Sequence, residues 1–153
     1  MVVVGGLAVA LGTVVTGNTL WDIGVVFGGL YTGSMPPAVF QRLLEEVGTL
    51  TAIGAVLSAA GFLLVFVGVA IAFRDPCRAP RRITRRTFAI LVLGGSLVAA
   101  GFVAFGVFSL YSNSSQPLLV GYQVLYSLDL AGRIVEAVGF FVAFAGLAHA
   151  IRR

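Results

Sequence analysis

The chain has 153 residues, of which 59% are hydrophobic and only 10% are charged, and its mean hydropathy is +1.04. Soluble domains carry about 25% charged residues, so a chain this apolar has too little polar surface to cover itself in water. The composition therefore excludes an ordinary soluble protein. It indicates an integral membrane protein whose surface is partly in contact with lipid.

All ten basic residues are arginines, and most of them are clustered. Six lie in the segment 74–86, and two more are Arg152 and Arg153 at the end of the chain. This clustering is typical of cytoplasmic segments of membrane proteins, so we expect no nucleic-acid partner. Cys77 and His149 are the only cysteine and the only histidine. One chain therefore cannot form a disulfide, a thiolate metal site or a bis-histidine haem site, and we predict no metal and no cofactor.

Four apolar stretches are long enough to cross a hydrocarbon core of about 30 Å, which takes about 20 helical residues. They cover about residues 7–31 (with a start as early as Val2), 49–73, 87–111 and 130–151. Backbone groups in lipid must be hydrogen-bonded within the chain, so these stretches are predicted to be transmembrane helices. The sequence thus predicts an all-α integral membrane protein that forms a single membrane domain over residues 1–153.

The distribution of arginine predicts the orientation. The basic loop 74–86 and the C-terminus are expected on the cytoplasmic side, and an even number of crossings places the N-terminus there too. The other two connections, 32–48 and 112–129, contain one arginine between them. We therefore expect the protein in the cell (plasma) membrane, with both ends cytoplasmic and membrane lipids as its first partners.

The two outer connections are predicted to contain short interfacial helical segments. In PPAVFQRLLEEVG, which begins at Pro36, the apolar residues fall on one face and the charged residues on the other. Such an amphipathic segment either lies in the membrane interface or extends the second helix outward. The second connection, QPLLVGYQVLYSLDL, has a similar apolar face and two tyrosines suited to an interface.

The two halves of the chain resemble each other. GFLLVFVGVAIAFR, from Gly61, aligns with GFFVAFAGLAHAIR, from Gly139, at an offset of 78, and seven of the fourteen positions are identical. Upstream, Tyr31 and Pro37 align with Tyr111 and Pro117 at an offset of 80, which requires a two-residue gap. We predict two tandem hairpin repeats, at about 1–74 and 87–153, joined by the basic loop.

Glycines recur every seven residues on the second and fourth helices. They are Gly54, Gly61, Gly68, Gly132, Gly139 and Gly146. Glycines seven apart lie on one stripe and allow a neighbouring backbone to approach closely, which favours helix packing in lipid. The stripes are predicted to pack helices, either within one chain or between chains.

Asp22 and Asn18 form a small polar patch on the first helix. A charged group in the hydrocarbon region is costly, so an intramembrane Asp22 would indicate an ion or proton site. The alternative, which we favour, places the first helix nearer the N-terminus, at about Val2 to Trp21. Trp21 and Asp22 would then lie at the interface, and Gly24 to Tyr31 would form a partly buried re-entrant segment.

Asp129, Arg133 and Glu136 form an i, i+4, i+7 series at the outer end of the fourth helix. They would serve either as a charged vestibule or docking site, or as a set of interface residues that satisfy one another. We favour the second interpretation. His149, near the other end of this helix, is interpreted as an anchor at the headgroup level.

No nucleophile–base arrangement is visible, so we do not expect an enzyme. The leading hypothesis is a structural or accessory subunit that packs against other integral membrane subunits of a larger complex, such as an energy-transducing or respiratory assembly. The competing hypothesis is a homo-oligomeric transporter or channel that uses Asp22 and the Arg133/Glu136 pair.

Overall fold

The computed structural model describes residues 1–31, 33, 35–74, 84–112 and 122–152, with only the backbone described at 20–23, 25, 26, 30, 31, 74, 122, 123 and 152. Over these residues the chain forms four α-helices and no strand. They are α1 (Val2–Tyr31), α2 (Pro37–Arg74), α3 (Arg85–Ser112) and α4 (Tyr122–Arg152). Each is long and apolar enough to cross a membrane, as the sequence predicted.

Local sequence determines where two of the helices begin. Gly33 has φ +67° in the turn after α1, a left-handed conformation that glycine adopts without steric cost. Pro37 is the first residue of α2, where its missing N–H would have had no helical partner. At α3, the backbone N–H of Thr87 donates to Oγ1 of Thr84 at 3.2 Å, which is an N-cap.

The amphipathic segment of the first outer connection does not form a separate interfacial helix. Its residues continue without a break into α2, which therefore has 38 residues and a length of about 57 Å. The second outer connection is also partly helical, because α4 begins at Tyr122, and its residues 116–121 lie outside the described residues. For the first connection, this is the second of the two alternatives that the sequence left open.

The four helices pack in chain order as an open row. Helix α1 packs on α2, α2 on α3, and α3 on α4, whereas contacts between non-consecutive helices are marginal among the described residues. A closed four-helix bundle would also bring α1 against α4. Both α1 and α4 therefore have one long side that no other described helix covers.

Helices α1 and α2 meet backbone to backbone, and so do α3 and α4. A methyl group built on Gly12 of α1 would lie 2.5 Å from the carbonyl oxygen of Gly54 in α2. A methyl group built on Gly101 of α3 would lie 2.7 Å from the carbonyl oxygen of Gly132 in α4. Real Cβ atoms do not approach other atoms so closely, so these contacts require glycine, and close approach increases dispersion attraction where lipid provides no hydrophobic drive.

A group of phenylalanines connects the two hairpins. Phe62 of α2 stacks on Phe102 of α3, with ring centroids 5.4 Å apart. The same ring makes an edge-to-face contact with Phe140 of α4 at 5.3 Å. Phe62 is therefore where the second and fourth helices come together.

Candidate functional site

The charged residues of α4 form one ion pair, supported by an aromatic ring. Nε of Arg133 donates to Oδ2 of Asp129 at 2.9 Å, and the side chains are 61% and 16% exposed, respectively. The guanidinium also lies over the ring of Phe105 in α3, 5.4 Å from its centroid, which is cation–π geometry. The i, i+4 spacing of the sequence thus produces a pair, and α3 supplies a contact that the spacing alone did not indicate.

Glu136 forms no salt bridge with Arg133. Among the described residues its side chain has no hydrogen-bond or salt-bridge partner, although the positive charge of Arg133 acts on its carboxyl group. Glu136 lies at the contact between α3 and α4, where a methyl group built on Gly101 would come within 2.5 Å of its Cβ. Oδ1 of Asp129 is likewise buried without a partner in the described part of the chain.

The register of two helices indicates the depth of the ion pair. Nineteen residues separate Arg133 from Arg152 on α4, and nineteen separate Arg86 from Phe105 on α3. At about 1.5 Å per residue, each interval spans roughly 28 Å, close to the thickness of a hydrocarbon core. If Arg86 and Arg152 lie at the inner boundary, Arg133 lies near the outer boundary, where an exposed guanidinium is stable.

Asp22 lies within α1, but its side chain is outside the described residues, so the ion-site hypothesis stays a prediction. Contacts on either side of it indicate its depth: Thr19 bonds Thr51 of α2, and Phe27 meets Phe40 edge to face at 5.5 Å. The backbone of Asp22 therefore runs beside the N-terminal, amphipathic part of α2. The re-entrant segment predicted for residues 24–31 is not formed, because α1 continues as one helix to Tyr31. Asn18, one turn before Asp22, has an exposed side chain.

A buried polar contact between α1 and α2 is one that the sequence analysis did not single out. Oγ1 of Thr51 in α2 donates to Oγ1 of Thr19 in α1 at 2.9 Å, and both side chains are buried. Oγ1 of Thr19 in turn donates to the carbonyl oxygen of Thr16 at 2.8 Å. The available indication was that Thr51 lies three residues before Gly54, on the face that meets α1. These hydroxyls are satisfied by one another, so they join helices rather than await a ligand.

No known protein family, curated protein or solved structure matches the chain. Among the described residues, no three His, Cys, Asp or Glu side chains lie close enough together to hold a metal ion. His149 is exposed near the end of α4, and Cys77 lies outside the described residues.

The outer part of α2 carries a second ion pair of the same type. Nε of Arg42 donates to Oε1 of Glu46 at 3.1 Å, with the side chains 81% and 55% exposed. Both residues line open surface grooves together with Val39, Leu43 and Thr49. A pair this exposed contributes little to stability, and its place is the solvated face of an amphipathic helix.

Proposed function

We propose that this protein is a non-enzymatic structural or accessory subunit that packs against other integral membrane subunits of a larger complex. The observation that carries the proposal is the open row of helices. The outer sides of α1 and α4 are apolar and uncovered in the described chain, and exposed side chains along them include Leu7, Leu11, Phe141 and Phe144. A helix packed by close contact on one side only is suited to receive a neighbour on the other.

The interior supports the same proposal. The buried polar side chains of the described residues all carry hydroxyl groups and no charge; they are Thr19, Thr51, Ser58, Thr87 and Ser109. Hydroxyls and glycines hold transmembrane helices together. The competing transport hypothesis is favoured by one observation: the carboxyl group of Glu136 makes no hydrogen bond or salt bridge among the described residues, although the charge of Arg133 acts on it. An intramembrane carboxyl group without a hydrogen bond is a candidate for ion or proton binding.

The chain is further proposed to be a tandem repeat of two hairpins, as the sequence similarity suggests. A methyl group built on Gly61 would meet the backbone N of Val9, and one built on Gly139 would meet the backbone N of Val98, each at 2.6 Å. Likewise, the neighbours of Gly68 are Met1 and Val2, and those of Gly146 are Ile90 and Leu91. These contacts correspond at an offset of 78 between α2 and α4, and of 89 between α1 and α3.

Aromatic contacts support the same correspondence. Phe62 stacks on Phe66 with ring centroids 6.4 Å apart, and Phe140 stacks on Phe144 at 6.2 Å. However, an offset of 89 between α1 and α3 does not support the alignment of Tyr31 with Tyr111 at 80. The first hairpin is instead longer than the second by eleven residues, the difference between the two offsets.

The cytoplasmic placement of both termini, in the cell membrane, remains part of the proposal and rests on the arginine clusters.

Purification from native membranes tests the proposed function. The full chain, carrying an affinity tag, is extracted in mild detergent, and co-purifying chains are identified and quantified by mass spectrometry. We expect other integral membrane chains in fixed stoichiometry, and a tagged membrane protein of similar size and hydropathy serves as the control. Recovery of the protein alone would contradict the proposal. A homo-oligomer without other chains would also contradict it and would favour transport.

A further inference from the structure

The contact between α2 and α3 has two distinct halves. On α3, Gly95 receives Phe66 of α2, whose Cβ would lie 2.7 Å from a methyl group built on that glycine. One further contact on the same face is made by Gly106, where such a methyl group would lie 3.2 Å from Cβ of Ala55. Phe62 stacks beside them on Phe102. The α3 half is thus a face with two glycines, and the α2 half is a face with two phenylalanines.

The face with two glycines that α3 turns to α2 has a counterpart on the uncovered side of α1. At the offset of 89, Gly95 and Gly106 correspond to Gly6 and Gly17. Both are exposed, and a methyl group built on either would meet no atom within 4 Å. The eleven-residue spacing places the two glycines on one side of the helix, within roughly 20° of each other.

The phenylalanine half also occurs a second time, on α4. At the offset of 78, Phe62 and Phe66 correspond to Phe140 and Phe144. Whereas Phe66 is half-buried against Gly95, Phe144 is 60% exposed. Phe140 contacts Phe62 of its own chain, so Phe144 is the ring of this pair that stays available. The two ends of the row therefore present complementary parts of an interface that the chain already forms internally.

We propose that a second copy of this chain occupies these faces, with α1 of one copy packed on α4 of the next as α3 packs on α2. This inference rests on the proposed function as a subunit that assembles through its helices, and it names one neighbour. Because the two faces differ, the contact is head to tail, and a closed dimer or ring would satisfy every face. Lipid alone could also cover apolar side chains. Contact with lipid would not, however, require α1 and α4 to carry the same pair of faces by which α3 and α2 meet inside the chain.

The outer end of the interface departs from the internal one. Arg133 stands at the position of Ala55, and its guanidinium is turned onto Phe105 of its own α3. Asn18, exposed beside Gly17, offers an amide oxygen that can accept a hydrogen bond from this guanidinium. Both copies span the same bilayer, so the bilayer sets the depth of α1 of one copy relative to α4 of the next. A shift of seven residues along the helix axis, about two turns, keeps the same faces opposed.

Cross-linking between two tagged copies tests the proposal. In a Cys77→Ser background, one copy carries Gly6→Cys, and the other carries Ala137→Cys or Phe144→Cys, which lie two turns apart on one face of α4. We expect a cross-link between copies for at least one of these pairs in native membranes. The matched control replaces Gly6→Cys by Val4→Cys, an exposed position at a similar depth and roughly 160° around α1. No cross-link, or equal cross-linking of the control, overturns the inference.

A double variant provides an independent measurement. Gly6→Leu with Gly17→Leu fills the glycine face of α1, where nothing lies within 4 Å in the chain itself. We expect oligomers measured by native mass spectrometry to dissociate while thermal stability in detergent is kept. Val4→Phe, on another face of α1, is expected to leave the oligomers intact. Oligomers that persist in the double variant contradict the inference.

The two proposals can fail separately. Other integral membrane chains without self-cross-linking would leave the proposed function standing and remove this inference. Self-cross-linking without co-purifying chains would support this inference and contradict the proposed function. If neither self-cross-linking nor other chains were found, both proposals would be contradicted.

Discussion

Thr19 and Thr51 show how few polar contacts this chain uses between its membrane helices. Their hydroxyls are 2.9 Å apart, both side chains are buried, and the oxygen of Thr19 also bonds the backbone of its own helix. Such interhelical bonds contribute about 0.6 kcal/mol on average, with a maximum of about 1.7 kcal/mol. Their main consequence here is geometric, because the bond fixes the register of α1 against α2.

Thr51→Val is expected to lower the free energy of unfolding by roughly 0.5–1.5 kcal/mol, because it removes the donor and keeps the shape of the side chain. The measurement is a denaturation titration of the purified protein in mixed detergent micelles. Thr49→Val is the matched control, because the hydroxyl of Thr49 is exposed and bonds only the carbonyl of Glu45 in its own helix. Equal losses in the two variants would contradict a role of the Thr51 hydroxyl in joining the helices.

The charged residues of α4 show which side-chain contacts the sequence predicts and which it does not. The spacing of Asp129 and Arg133 predicted their pairing, because residues four apart are neighbours on any helix. The same reasoning joined Glu136 to Arg133, but no salt bridge connects these two side chains in the described part of the chain. The ring of Phe105 holds the guanidinium from another helix, and no pattern within α4 could reveal that contact.

At the scale of the helices, the glycine stripes determine which faces meet. In both hairpins a glycine of the first helix lies against a backbone carbonyl of the second: Gly12 against Gly54, and Gly101 against Gly132. The seven-residue spacing predicted stripes on α2 and α4 that pack helices. It could not say which partner they meet, because a stripe has the same form whether its neighbour belongs to the same chain or to another.

Gly12→Ala and Gly101→Ala are each expected to destabilise the protein by about 1–3 kcal/mol, because the added methyl group must displace the backbone of the facing helix. Thermal unfolding in detergent, followed by circular dichroism, measures the loss. Gly24→Ala is the control on α1, where the methyl group would meet nothing within 4 Å. Similar behaviour of all three variants would argue against close packing at these glycines. A large difference between Gly12→Ala and Gly101→Ala would argue against the correspondence of the hairpins.

For the whole molecule, the arginine clusters predict which ends of the helices face the cytoplasm. Four crossings would place the segment 74–86 and both termini on one side, and the turn that contains Gly33 and Met35 on the other. The orientation therefore depends on the distribution of charge alone.

A membrane-impermeant thiol reagent tests this orientation. Cys77, the only cysteine, is expected to react in inverted vesicles and to stay unlabelled in intact cells. The control is Cys77→Ser combined with Met35→Cys, which should show the opposite pattern because Met35 lies in the outer turn, where its side chain is partly exposed. Labelling of Cys77 from outside intact cells would reverse the topology.

The sequence by itself determined that the chain forms four helices long and apolar enough to cross a membrane. This follows from composition and from the length needed to cross lipid, and each is a property of one segment at a time. The open row, the contact between Phe62 and Phe140 and the uncovered sides of α1 and α4 were decided only by tertiary structure. In lipid every helix face is apolar whether or not it meets another helix, so hydrophobicity cannot distinguish the faces that pack from those that face the bilayer.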